Sequence, residues 1–528
     1  MEAGPSLPPG SDDEPDDDED RFFGGGVDGS AKAAMDFLDE REKEETFVEE
    51  KYDIPWVRKL GLNFEKRISK NAELRARYED DPSKFMVSEA DLDADIKALS
   101  ILSEHPELYQ EFVKLGCMDS LVSLIGHENV DIAIDAIEII SELIEEDVEA
   151  DQEQWDALVN AALDADLLDL LISILSRFDE NQEADRSGIY NSLHILESLG
   201  AQSSIAPRLE ADKKVLPWLL ERIQKEEERT SLNKQYAAEI LAIWVQNSVP
   251  NRETLTNLNG MDILLQLLAP YRRSDPEKGA TEEEEFVENV FDAVTCLVDE
   301  PLGKTKFVET EGVELALIML RDGKMSKQRA LRLLDHAVGG SSGAGVCEKL
   351  VDAQGIKTVF GMFMKKQDNS ATEHLLGIFA ALLRCLPGDS APRIRVLAKF
   401  MEKDYEKIEK IVKLRRDCAA RVSAVDGQVK AERAKLGREE QEGMEADWFS
   451  RRLDAGLYCL QTTDVVLAWL VAEDTGAKKK VVNLLAERDE TLADIKATLQ
   501  DQMEGATDEN EEAQLVKEML GTLVEFLK

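Results

Sequence analysis

Apolar residues recur along most of this chain at steps of three and four, the period of helices that bury one face. The densest case is residues 129–147, where Val130, Ile132, Ala133, Ile134, Ala136, Ile137, Ile139, Ile140, Leu143 and Ile144 cover most of a helix circumference. Asp131, Asp135, Glu138 and Glu142 fall on the one remaining line, spaced four, three and four. A helix that is apolar nearly all round is enclosed by neighbours. This spacing therefore predicts a buried helix with one exposed acidic stripe, and stacked copies would build a long acidic surface.

A longer phrase repeats around that helix: a small or polar residue, an apolar one, then paired aliphatics about four and eight positions on. It starts at Cys117-Met118, Asp166-Leu167, Lys214-Val215, Gly260-Met261, Gly312-Val313 and Gly355-Ile356, at intervals of 49, 48, 46, 52 and 43 residues. These intervals lie near the period of armadillo and HEAT arrays, with insertions. Glycine in the phrase suits a left-handed or closely approached backbone between two helices. Each unit then closes on a second long helix, predicted at 129–145, 183–199, 232–246, 284–298, 326–338 and 372–386. No alternating strand pattern with hairpin signals interrupts the series. The fold class is all-α: an armadillo/HEAT-like right-handed superhelical solenoid in which each repeat contacts mainly its neighbours.

The flanks read differently. Residues 1–53 are low in complexity, with an acidic run at 11–20 and glycines at 24–26. They hold too little apolar surface to offset ordering entropy and are expected to be a disordered acidic tail. Phe37, Leu38, Phe47 and Val48 are its only candidates for docking. A helical N-terminal cap is expected over 54–115, with Ser88 capping a helix that runs to Leu102. The repeats fill 116–400. The remainder, 401–528, is a helical, coiled-coil-like appendage. There 401–438 has sparse, near-heptad apolar positions and 447–471 is its antiparallel return, with Gly437 and Gly443 flanking the turn. Helices are expected at 480–502 and 510–528, the last with a broad apolar face that another part of the chain should cover.

Charge sharpens the picture. The 528 residues carry a net charge of −46, and the first sixty account for only −12 of it. Most of the excess thus belongs to the folded body. Such a field repels nucleic-acid phosphates and anionic lipid and attracts Lys/Arg-rich segments, although a surplus of acid also serves solubility alone. No apolar run reaches the roughly 18 residues of a membrane span. No signal peptide is legible. Six scattered cysteines without a CxxC pair fit a reducing compartment and no metal site. By elimination this leaves the cytoplasm or the nucleus.

No catalytic constellation stands out. The five histidines are isolated, and Asp335-His336 reads as a helix-surface pair. The glycine-serine run at 339–345 lacks the Lys-Ser/Thr of a phosphate loop and follows a helix, so it reads as an inter-repeat loop. No cofactor and no enzymatic activity are expected. The candidate site is instead the set of acidic stripes on the second long helices, where lysines and arginines of an extended partner could reach successive carboxylates. It comprises Asp131, Asp135, Glu138 and Glu142, then Glu239 and Asn247, then Glu288, Asn289 and Asp292. Glu285, Thr295, Gln235, Gln246 and Trp244 lie nearby. The equivalent helix at 183–199 offers only Ser187, Asn191 and His194.

Several blocks carry a resemblance. They are Asn63-Phe64-Glu65-Lys66-Arg67, Asn71-Ala72-Glu73-Leu74-Arg75, Asp81-Pro82-Ser83-Lys84-Phe85-Met86 and Ser88-Glu89-Ala90-Asp91-Leu92. With them go Pro106-Glu107-Leu108-Tyr109, Leu334-Asp335-His336-Ala337 and Arg451-Arg452-Leu453-Asp454-Ala455-Gly456-Leu457. As an ordered series from about Val57 to the C-terminus, they resemble the beta-catenin-like protein 1 family of spliceosome-associated armadillo proteins. The resemblance implies a nuclear role with the NineTeen complex. It also implies binding of basic, nuclear-localisation-type segments, notably of the Myb-domain cell-division-cycle-five-like subunit, and self-association as a homodimer. One departure is plain. Members often carry a basic import signal near the N-terminus, whereas this chain is acidic there, and Lys478-Lys479-Lys480 is its one short basic run. Two other classes stay open. An importin-alpha-like transport adaptor would need regular Trp-xxx-Asn pairs and a basic N-terminus. A structural oligomer would associate through its C-terminal helices.

Overall fold

The computed structural model describes residues 51–505 and 511–528. All but the last three residues of the expected acidic tail, its four apolar candidates included, lie outside them. From Val57 to Lys528 the chain forms one compact unit. It opens on α1 (Ile54–Arg77) and α2 (Met86–Lys97), the latter continued by a 3-10 segment to Glu104. Ser88 is not a cap, as the sequence suggested. It lies inside α2, buried, donating to the Phe85 carbonyl and accepting from Asn71 Nδ2 at 3.0 Å.

Six three-helix repeats follow. The first is α3 (Tyr109–Lys114), α4 (Cys117–Ser123) and α5 (Val130–Leu143). The second is α6 (Gln152–Asp164), α7 (Leu167–Leu175) and α8 (Glu183–Ala201). The third is α9 (Ala206–Ala211), α10 (Val215–Gln224) and α11 (Leu232–Gln246). The fourth is α12 (Val249–Asn257), α13 (Gly260–Leu268) and α14 (Thr281–Leu297). The fifth is α15 (Pro301–Glu309), α16 (Gly312–Asp322) and α17 (Met325–Val338). The sixth is α18 (Ala344–Asp352), α19 (Gly355–Met364) and α20 (Asn369–Cys385).

The recurring phrase marks the start of each middle helix, for a specific reason. Gly116, Asp166, Asn259, Glu311 and Gln354 all stand in left-handed conformation immediately before α4, α7, α13, α16 and α19. The left-handed residue is therefore the one before the glycine. Gly260 serves close approach instead, because a Cβ there would lie 2.6 Å from the Leu255 carbonyl. Polar caps then start the long helices: Asn129 accepts from Asp131 N at 3.0 Å, and Asp368 from Ala371 N at 2.7 Å.

The long helices stack in sequence. α2 packs on α5, then α8, α11, α14, α17 and α20 follow as rungs of one ladder. The ladder continues into α23 (Leu457–Glu473), which packs on α20. Between them run α21 (Ala391–Arg433) and α22 (Arg438–Asp454). The expected antiparallel return is thus two helices, broken at Gly456 with φ +98°, and Gly443 lies inside α22 rather than at the turn. α21 is itself interrupted, with Lys403, Asp404 and Tyr405 at positive φ. The expected helix at 480–502 is likewise two, α24 (Thr475–Ala486) and α25 (Leu492–Gly505), split where Asp489 turns left-handed. α26 (Glu511–Phe526) packs on α23 and α25. Its apolar face is covered by the chain itself at Leu520, Leu523 and Leu527.

Candidate functional site

The side chains left uncovered on the ladder form one polar face, and its character changes along its length. At the α5 rung, Asp131 and Glu138 are exposed and Glu142 is half-buried. Asp135, expected in the same open stripe, is not open. It is 8% exposed, with Lys97 of α2 at 3.3 Å from its Oδ1. Burial, and then the hydrogen bond and charge of Asp93, push the Asp135 carboxyl up to about 7. The hydrogen bond from Asp135 moves Asp93 downwards. The neutral form is thus favoured at Asp135 and the charged form at Asp93, and the Lys97 ammonium reaches both. The periodicity aligns Asp135 with Asp131 and Glu138, but the expected exposure is not found, because α2, outside the pattern, covers it. Glu142 accepts from Ser103 Oγ at 3.2 Å, and burial raises its pKa, with Glu138, Glu145 and Glu104 adding to the rise.

The middle rungs gather acid. On α8, Ser187 is exposed, Asn191 is half-buried, and His194 Nδ1 meets Ser141 of α5 at 2.8 Å. Beyond the first turns of this rung its charged residue is Glu197, one turn past His194 and absent from the sequence candidates. It accepts from the Tyr236 hydroxyl of α11. The Tyr236 ring lies 5.1 Å from that of Tyr190, which is 40% exposed. Glu239 accepts from Gln235 Nε2 at 2.9 Å. Burial raises its pKa against that hydrogen bond, and Glu197 on α8 and Glu285 on α14 add to the rise. These three carboxylates come from three adjacent rungs. No lysine or arginine among the described residues forms an ion pair with any of them.

Trp244 belongs to the framework, and Asn247, though exposed, is tied to the preceding rung. Trp244 is 2% exposed and its Nε1 donates to the Leu196 carbonyl at 2.9 Å; Asn247 Nδ2 donates to the Gly200 carbonyl at 3.1 Å. They do not form the aromatic wall and amide of an importin-like groove. Thr295 is also inward, donating to the Phe291 carbonyl at 2.7 Å.

From α14 onwards the acid is answered within the chain. Glu288 pairs with Arg329 and Asp292 with Arg332, both arginines from α17, with Asn289 half-buried beside them. Asp299 meets His336 at 3.0 Å, and Asp335 meets His374 of α20 at 3.0 Å. Asp335 and His336 thus meet different partners, His374 of α20 and Asp299 in the turn after α14, rather than each other. The ladder face is a carboxylate lane over α5–α14 and a zone of matched charge over α14–α20.

The stacked three-helix repeats and their long polar face define a class: an armadillo-repeat scaffold. The family model described as "Catenin-beta-like, Arm-motif containing nuclear" matches residues 32–500. The Schizosaccharomyces pombe beta-catenin-like protein 1 homolog is 36% identical over 498 residues, 94% of this chain and 86% of its own. Beta-catenin-like protein 1 of Homo sapiens is 33% identical over 491 residues, 89% of this chain and 86% of its own. That of Rattus norvegicus is 36% identical over 425 residues, covering 78% and 75%. The chain belongs to this catenin-beta-like family of nuclear armadillo proteins.

Proposed function

We propose that this protein is a non-enzymatic nuclear scaffold of the spliceosome, associated with the NineTeen complex. It holds basic, nuclear-localisation-type segments of splicing proteins on the carboxylate lane and so supports pre-mRNA splicing. A Myb-domain, cell-division-cycle-five-like subunit is the proposed partner. The observation that carries the reading is the convergence of Glu197, Glu239 and Glu285 from three rungs, with no lysine or arginine among the described residues paired to them in cis. Carboxylates crowded in this way gain from an incoming lysine or arginine what they lose to one another. Neighbouring helices lie about 8–10 Å apart, and an extended chain advances about 3.3 Å per residue. A segment crossing the rungs therefore presents one side chain per rung about every third residue. The net negative field speeds its approach.

The test is capture from nuclear extract by wild type and by a variant reversed at Glu138, Glu239 and Glu285. The reading expects Lys/Arg-rich splicing proteins on wild type and their loss from the variant. Equal capture by both removes it.

A further inference from the structure

Beyond the carboxylate lane, the ladder face is overlaid by the chain's own last helix. A cleft of about 580 Å³ lies between α26 and the α17 and α20 rungs, floored by α23, on which α26 packs. We propose that this part of the face is a docking site for an amphipathic helix with an acidic first turn, and that α26 fills it in cis as a displaceable strap. The inference stands apart from the basic-segment reading, since it concerns another stretch of the ladder and a partner of the opposite sign.

The acidic end is recognised by a built contact. Glu512 Oε1 accepts the Ser341 N–H at 3.1 Å, in the glycine-serine loop that the sequence left without a role. Gly340 keeps that approach open, because it has φ +69° and a Cβ there would lie 3.3 Å from the same oxygen. Two cations back the loop. Lys304 is 4% exposed, with Nζ bonded to the carbonyls of His336 at 2.7 Å and Ala337 at 3.2 Å. Arg384 Nη2 donates to the Gly340 carbonyl at 3.2 Å. A carboxylate arriving at this loop meets the Ser341 N–H with Lys304 and Arg384 behind it, while Asp299 and Asp335 line the same cleft further in.

The remainder of the contact is incomplete. A solvent-open cleft of small-molecule size runs alongside the helix. Gln502, which lines it, keeps a buried Oε1 with no donor. On α26 itself, Leu520, Leu523 and Leu527 are buried, while Leu515 is 56% and Phe526 47% exposed. The buried leucines, the Glu512 contact and a Lys478 Nζ bond to the Phe526 carbonyl at 3.3 Å are among the ties that hold the strap, and tethering keeps its local concentration high. A better-fitting helix of the same chemistry would displace it.

A fluorescent peptide of residues 511–528 tests this on full-length protein. In a Leu520→Lys, Leu523→Lys variant the cis helix is weakened, and the peptide is expected to bind at least tenfold tighter than to wild type. Added peptide should also slow hydrogen exchange at Ser341. Equal affinity for both proteins, or no binding to the variant, overturns the proposal. If the double variant loses its cooperative melt, Glu512→Lys takes its place: at least threefold tighter binding supports the strap, and unchanged affinity overturns it.

Discussion

Arg332 on α17 reaches across the ladder to the carboxylate of Asp292 on α14, as Arg329 does one turn earlier to Glu288. The Arg332 and Asp292 side chains are 35% and 39% exposed. A pair this open contributes only about 0.2–1 kcal/mol, so its main effect is on recognition. It withholds two carboxylates from any basic partner. Replacing both arginines by alanine should leave the melting temperature nearly unchanged and tighten binding of a labelled Lys/Arg-rich peptide by threefold or more. Titration by fluorescence anisotropy reads this. Unchanged affinity would mean that the bound segment stops before α14.

Asp135 makes the seam between α2 and α5 sensitive to pH. Its folded pKa, about 7, stands above the ordinary carboxyl value near 3.9. The folded state thus holds a proton that the unfolded chain releases. Its contribution to stability is complete below the unfolded value and is lost as pH rises through about 7. Asp135→Asn keeps the shape of the protonated group and should melt higher than wild type at pH 8, with the gap narrowing below pH 7 and closing only near pH 4. Thermal melts of both proteins across that range decide it; a gap independent of pH would refute the raised Asp135 value.

Much of the fold is legible because helical periodicity is a local property. The α11 rung is predicted to the residue and the others to within three, since Ser231, Asp368 and their like cap within the same few residues that form the helix. The turns at Gly456 and Asp489 were missed because neither interrupts the apolar period enough to announce a break. The site was less legible for a related reason. A stripe on one helix can be read from spacing, but what lies across from it cannot. Lys97 opposite Asp135 and Arg332 opposite Asp292 come from 38 and 40 residues away in sequence. Glu197 escaped notice because its own helix shows no run of acid. It becomes part of a lane only when Glu239 and Glu285 are stacked beside it.

The same stacking predicts a salt response. Glu239 has its pKa raised by burial and by the charges of Glu197 and Glu285. The repulsion it reports is screened over about 10 Å at 0.1 M salt. The free protein should therefore melt a few degrees higher in moderate salt than in low salt. Glu239→Gln should recover part of that gain without salt, because its stability term is already lost once pH exceeds the folded pKa. A melting temperature flat from 20 to 300 mM salt would argue that these carboxylates do not strain the fold.

The last repeat and the C-terminal helices are joined by four aromatic rings. Phe379 of α20 stacks on Phe360 of α19 at 4.5 Å and meets Phe363 at 5.2 Å and Phe400 of α21 at 5.5 Å. All four are buried. Arg393 of α21 adds a second tie, donating to the Leu382 and Leu386 carbonyls that end α20 and to Glu473 at the end of α23. In a solenoid each unit is stabilised through its neighbours. Phe379→Ala should therefore cost about 3–5 kcal/mol and reduce hydrogen-exchange protection in α21 and α23 as well as in α20. If only α20 loses protection, the C-terminal helices form an independent unit. If all three lose it together, the ladder runs unbroken from α2 to α23, and a partner gripped at one end acts on a single cooperative body.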